Sequence, residues 1–199
     1  MSNTQGLTDF YKTSIAICLA YVLCHGLTAF VVTPLQSIIM PEITVFASLM
    51  YLPHGVRVLA TWAYGWKAVP ILAAGGASAA WLFTPTQELT LLEPVLIWSI
   101  LVGAASAFVA FEVVRFFGYD FYCGQPTKLR WKGMIGIGLL ASVINSIGQT
   151  LVYSEFIVFG NTFRVQVSYA TGDLIGLIVC MLGLMLVFRW HRALESSPN

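Results

Sequence analysis

Long apolar runs, broken at intervals by proline, glycine and short polar clusters, organise this chain. A helix needs about 20 mostly apolar residues to cross a hydrocarbon core about 30 Å thick. Six stretches approach that length: 13–33, 43–65, 68–84, 94–116, 133–153 and 166–188. The breaks fall at Pro34 and Pro41, at Gly65-Trp66-Lys67, from Thr84-Pro85 to Glu93-Pro94, over the polar stretch 118–132, and from Ser154 to Arg164. The pattern predicts an all-α, polytopic integral membrane helix bundle of about six transmembrane helices, 13–190, between short tails at 1–12 and 191–199. Within the second stretch Pro53 removes a backbone donor and Gly55 relaxes the helix, which predicts a break at Pro53–Gly55. Small residues at four-residue spacing, namely Gly172 and Gly176, Gly76 and Ala80, and Ser99, Gly103 and Ala107, predict close helix contacts.

Composition agrees. Hydrophobic residues make up 58% of the 199 positions and charged residues 10%, against roughly 25% charged in a soluble domain. So few charges cannot cover a water-facing surface, and lipid must be the main solvent. A disordered chain, a disulfide scaffold and a nucleic-acid binder with a basic face are excluded on the same ground. Cys18, Cys24, Cys123 and Cys180 show no Cys-x-x-Cys spacing, so they read as small apolar fillers. No cofactor and no metal is expected. Residues Met1 to Asp9 carry no Lys or Arg, unlike a cleaved signal peptide, so the first helix is expected to be retained.

Charge bias sets the expected orientation, since Lys and Arg near span ends stay on the cytoplasmic side. With six spans both termini share a side, and on it fall Lys12, Lys67, Arg115, Lys128, Arg130, Lys132, Arg189 and Arg192. The opposite side holds only Arg164, so both termini are expected in the cytoplasm. Glu42, Glu88, Glu93 and Glu155 sit in the outer connections, and Trp62, Trp66, Trp98, Trp131 and Trp190 fit interfacial belts.

Ionisable residues inside apolar runs are costly and mark functional sites. His54 and Arg57 follow Pro53 directly, and Arg57 lies about 21 Å down an ideal helix counted from Ile43. Asp173 is a carboxylate well inside the last run and is the expected partner of Arg57; a structural salt bridge is the plainer version of the same pairing. Ser142, Asn145, Gln149 and Tyr153 recur three and four apart, so they share a helix face suited to interhelical hydrogen bonding or to lining a cavity. His25 reads as an interior histidine with its polar atoms satisfied. Glu112 and Arg115 read as a surface ion pair. No H-E-x-x-H, G-x-S-x-G or P-loop is present, so no enzyme activity is expected.

Three windows carry a family likeness: Leu52-Pro53-His54-Gly55-Val56-Arg57-Val58-Leu59, Tyr64-Gly65-Trp66-Lys67-Ala68-Val69-Pro70, and Gly172-Asp173-Leu174-Ile175-Gly176. Together they resemble the bacterial membrane-associated sensor domains that precede diguanylate cyclases and histidine kinases. The resemblance implies a sensory protein of the bacterial plasma membrane (inner membrane), although that family usually has eight spans. With nine residues after Trp190, a signalling output would reside in a separate subunit. The six-span count, the Leu-Pro element and the late Gly-Asp also resemble the substrate-binding membrane subunits of energy-coupling factor vitamin transporters, which would imply a coupling subunit instead; a structural bundle that assists another membrane complex is the third reading. Expected partners are thus the lipid bilayer, a signalling or coupling subunit and a small molecule of unknown identity.

Overall fold

In the computed structural model, which describes residues 3–39, 48–84, 94–127, 129–152 and 162–195, every long element is a helix and no strand is found among the described residues. Helix α1 spans Asn3–Leu27 and passes through a π-helical turn, Thr28–Val32, into α2, Thr33–Ile39. The break expected at Pro34 is therefore not there. Proline lacks an N–H and crowds the preceding turn; the wider π turn absorbs it, with the Thr33 N–H and Oγ1 both donating to the Thr28 carbonyl. The helices that follow are α3 (Leu52–Tyr64), a 3-10 turn (Gly65–Lys67), α4 (Ala68–Phe83), α5 (Pro94–Phe116), α6 (Trp131–Val152) and α7 (Thr162–Glu195).

Four stretches have the length and composition to cross a membrane: Thr8–Ile39, Val95–Phe116, Trp131–Val152 and Gln166–Leu194. With 13 and 16 residues, α3 and α4 are about 20 and 24 Å long, short of a 30 Å core. The count of about six is not reached on these criteria. The expected tails are also partly helical, since α1 begins at Asn3 and α7 continues to Glu195.

The break expected at Pro53–Gly55 falls earlier. Ser48–Tyr51 is non-helical and α3 opens at Leu52, with Pro53 in its first turn, where a missing N–H leaves no gap in the ladder. Gly172 and Gly176 cradle this Ser48–Tyr51 backbone: a Cβ on Gly172 would strike the Ser48 carbonyl, and one on Gly176 the Tyr51 carbonyl. The Tyr51 N–H donates to the Gly172 carbonyl at 2.9 Å. This small-residue pair thus receives an irregular strap where a second helix was the simpler expectation.

At the other end of α3, Gly65 takes φ 58°, a left-handed value that favours glycine, and reverses the chain into α4. The loop after α5 folds back on this corner, with the Cys123 N–H donating to the Trp62 carbonyl at 2.9 Å. Helix α1 runs alongside α4 in the same direction, with Tyr21 against Gly75 and Gly26 against Phe83, and α3 runs parallel to α7, with Tyr51 against Gly176 and Gly55 against Cys180; α3 lies at the centre, packed against α1, α4, α5, α6 and α7. That position explains its composition. Polar side chains are tolerated at membrane depth when protein encloses them, and Leu52, His54, Arg57, Val58 and Thr61 are all buried. One core cluster joins Val58 to Ala107, Phe111, Ile137, Ala141 and Leu177, and a second joins Tyr21 to Ala60, Leu72, Ala79 and Ala104. The abundance of alanine allows the close backbone approach on which helix association in lipid depends.

Candidate functional site

Arg57 sits one turn into the central helix with its guanidinium between two tyrosines from different elements. Nη2 donates to the Tyr21 hydroxyl at 2.7 Å and to the Tyr51 hydroxyl at 3.4 Å. Cζ lies 5.6 Å from the Tyr21 ring centroid and 5.3 Å from that of Tyr51, within cation–π range. Gly103 of α5 makes room for it, since a Cβ there would come within 2.6 Å of Nη2. Arg57 is 5% exposed, and its Nε and Nη1 have no hydrogen-bond partner. Among the described residues no carboxylate comes within ion-pair distance of it.

Asp173 of α7 has a separate set of partners. Its Oδ2 accepts from Ser142 Oγ at 3.1 Å and from Asn145 Nδ2 at 3.2 Å. His54 Nδ1 stands 3.4 Å from the same oxygen. His54 Nε2 is 3.1 Å from the Gly138 carbonyl; a carbonyl only accepts, so Nε2 carries hydrogen. Gln149 extends the network toward α5: its Nε2 donates to the Ser99 carbonyl at 3.0 Å and its Oε1 accepts from Ser99 Oγ at 2.9 Å. The α6 face expected from spacing therefore joins α6 to α5 and α7. Tyr153, its fourth member, lies outside the described residues.

The direct pairing expected between Arg57 and Asp173 is not formed. Both residues line one cavity of about 290 Å³ between the helices, together with Tyr21, Tyr51, Asn145 and Gln149. They reach it from different helices, and each charge is held by neutral groups. His54 stands behind Asp173 and is not part of the cavity wall. His25 lines the cavity, stacks on Phe83 with centroids 5.8 Å apart, and leaves Nδ1 unpartnered, so the expectation that its polar atoms are satisfied is corrected. The cavity also meets Ser48, Thr84 and Leu96, at the end of the bundle away from Lys12, Lys67, Arg115, Arg130, Lys132, Arg189 and Arg192.

At the basic end, Glu112 and Arg115 approach to 3.5 Å, and Arg115 also meets Asp120 at 3.4 Å. The Tyr122 hydroxyl donates to Glu112 at 2.9 Å. Burial, reinforced by the Glu112 carboxylate, raises the Tyr122 phenol well above the ordinary tyrosine value. These groups, with Lys67, line a second, more open hollow of about 360 Å³, in which Arg115 pairs with Glu112 and Asp120 and Lys67 lies over the Phe10 ring. Among the described residues no group of three or more His, Cys, Asp or Glu could hold a metal ion, and all four cysteines are free.

Spacing did not reveal Tyr21, Tyr51, Ser99 or Gly103 as parts of the site. Tyr21 lies in an apolar run and Tyr51 two residues before Pro53, and neither carries a charge or a polar spacing that marks it; Ser99 and Gly103 carried a signal only as small residues. Comparison with protein-family models, with curated proteins and with solved structures finds no match to this chain.

Proposed function

We propose that this chain is a multi-pass membrane protein, without catalytic activity, that binds a small molecule bearing an anionic group in the cavity beside Arg57 and signals occupancy to a separate subunit. One observation carries the reading. A permanent cation, 5% exposed, keeps two nitrogens without hydrogen-bond partners on a residue that lines a cavity. Buried charges in proteins are normally paired, and a carboxylate or phosphate presents two oxygens to the guanidinium fork. The cavity volume sits at the small end of the range for ligand pockets, roughly 300–1,000 Å³.

Sensing is favoured by α7. This helix runs unbroken from Asp173, at the cavity, to Glu195, about 33 Å at 1.5 Å per residue. From Leu182 to Leu194 every residue is exposed, and we assign this end of the helix as the part that meets the separate subunit. We assign α3 and α4 as the second and third of six passes, enclosed by longer helices. The basic end, with both termini, is assigned to the cytoplasm by the distribution of Lys and Arg, which puts the cavity toward the outside of a bacterial plasma membrane.

A ligand that binds only the folded state stabilises it by mass action. Acetate, benzoate and inorganic phosphate, titrated into the detergent-solubilised chain, test the reading. At least one should raise the unfolding temperature of the wild type and leave Arg57→Gln unmoved. Equal shifts in both proteins, or none with any anion, would count against an anion site at Arg57.

A further inference from the structure

The two charges of the cavity are of opposite sign and are not paired with each other. Arg57 offers Nε and Nη1, both unpartnered. Asp173, whose Oδ2 accepts from Ser142 and Asn145, lines the same cavity. His54 Nδ1 stands 3.4 Å from that oxygen without forming a hydrogen bond, and its Nε2 is turned to the Gly138 carbonyl. A simple anion drawn to Arg57 would bring its charge into the same small cavity as the Asp173 carboxylate, and like charges at close quarters in a low-dielectric site repel. A molecule with a carboxylate at one end and an ammonium at the other meets both charges and leaves the cavity neutral.

We infer, building on the anion-site reading above, that the ligand is a zwitterionic amino carboxylate, its carboxylate on Arg57 and its ammonium on Asp173. The tyrosines beside Arg57 and the Ser99–Gln149 pair position these two groups, and Leu96 and Ile100 on the cavity wall face the carbon chain between them.

The test is equilibrium dialysis of the full chain in detergent against glycine, β-alanine, 4-aminobutyrate, 6-aminohexanoate and L-leucine. Each is run beside its N-acetyl derivative, which lacks the ammonium, and the amine that lacks its carboxylate. The inference expects saturable binding of at least one amino carboxylate, with both derivatives weaker by about tenfold or more, as loss of a hydrogen bond between charged groups implies. This comparison uses wild-type protein alone, so an Asp173 variant that fails to fold does not blunt it. Where both fold, Arg57→Gln and Asp173→Asn should each weaken the amino carboxylate, and Asp173→Asn should spare the N-acetyl form. N-acetyl derivatives binding as tightly as the free amino carboxylates would overturn the zwitterion and leave the anion site standing, as a protonated His54 neutralising Asp173 would produce. Amines binding as tightly as amino carboxylates, with Arg57→Gln indifferent, would overturn both readings. No saturable binding by any amino carboxylate at millimolar concentration would overturn the inference while the acetate, benzoate and phosphate titrations decide the anion site separately.

Discussion

Gly103→Ala is the smallest change that tests how the guanidinium is seated. The added methyl would lie 2.6 Å from Arg57 Nη2, 2.9 Å from Cζ and 3.2 Å from Nη1, whereas ordinary contact begins at 3.4 Å. Arginine would ordinarily swing aside at small cost, but here Nη2 bonds Tyr21 at 2.7 Å and the group lies between two rings. Reaching ordinary contact takes a retreat of about 0.8 Å, from 2.6 to 3.4 Å, enough to stretch the 2.7 Å bond to Tyr21 out of its good range, and weakening a hydrogen bond from a charged donor costs about 1–2 kcal/mol. Gly136→Ala supplies the reference, since a Cβ there meets nothing within 4 Å and both glycines lie inside helices. Both changes carry the same intrinsic helix gain of about 0.8–1 kcal/mol, which cancels in the difference. Unfolding by sodium dodecyl sulfate in mixed micelles, followed by circular dichroism, should therefore find Gly103→Ala less stable than Gly136→Ala by about 1–3 kcal/mol, the range for overpacking a tight site. Equal stabilities would refute the seating of Arg57 on Gly103.

Asp173→Asn keeps the shape but turns two charge-assisted hydrogen bonds, from Ser142 and Asn145, into neutral ones; it should lower stability by about 2 kcal/mol. In a double-mutant cycle it should couple to Ser142→Ala by about 1 kcal/mol, and strict additivity would break the assigned contact. Tyr122 should ionise above the ordinary tyrosine range in an ultraviolet titration, because burial and Glu112 favour its neutral form. With its folded value raised, its contribution to stability is present below the ordinary tyrosine value and fades as pH rises through the folded one. Tyr122→Phe should remove that late step; an unchanged titration would contradict it. A cysteine at Thr86, placed in a Cys123→Ser background, should be labelled by an impermeant maleimide from outside intact cells, and one at Thr127 should not; the reverse pattern would invert the topology.

Apolar run length made the helices legible, and α5 at Pro94–Phe116 coincides with the stretch 94–116 read from hydropathy. Prolines misled more than once. Pro34 sits inside a continuous rod because a π turn accommodates it, and Pro53 opens a helix that it was expected to interrupt. Hydropathy reports transfer into lipid and says little of how a local turn relaxes around a missing N–H. The polar residues of the site stood out because charge inside an apolar run is costly, and Arg57, Asp173, Asn145 and Gln149 do line one cavity. The pairing of Arg57 with Asp173 was not legible, since it depends on which neutral groups reach each charge first. Tyr21 and Tyr51 reach Arg57, and Ser142 and Asn145 reach Asp173; Tyr51 is carried there by the strap docked on Gly172 and Gly176, a tertiary contact that no local spacing encodes.

The central claim is that the cavity at Arg57 holds a small molecule with an anionic group. Native mass spectrometry of the protein gently extracted from its own host, run beside Arg57→Gln, tests it most directly. The account predicts a bound small molecule carrying a carboxylate or phosphate on the wild type and its loss from the variant; the same bound mass on both proteins, or on neither, would contradict it.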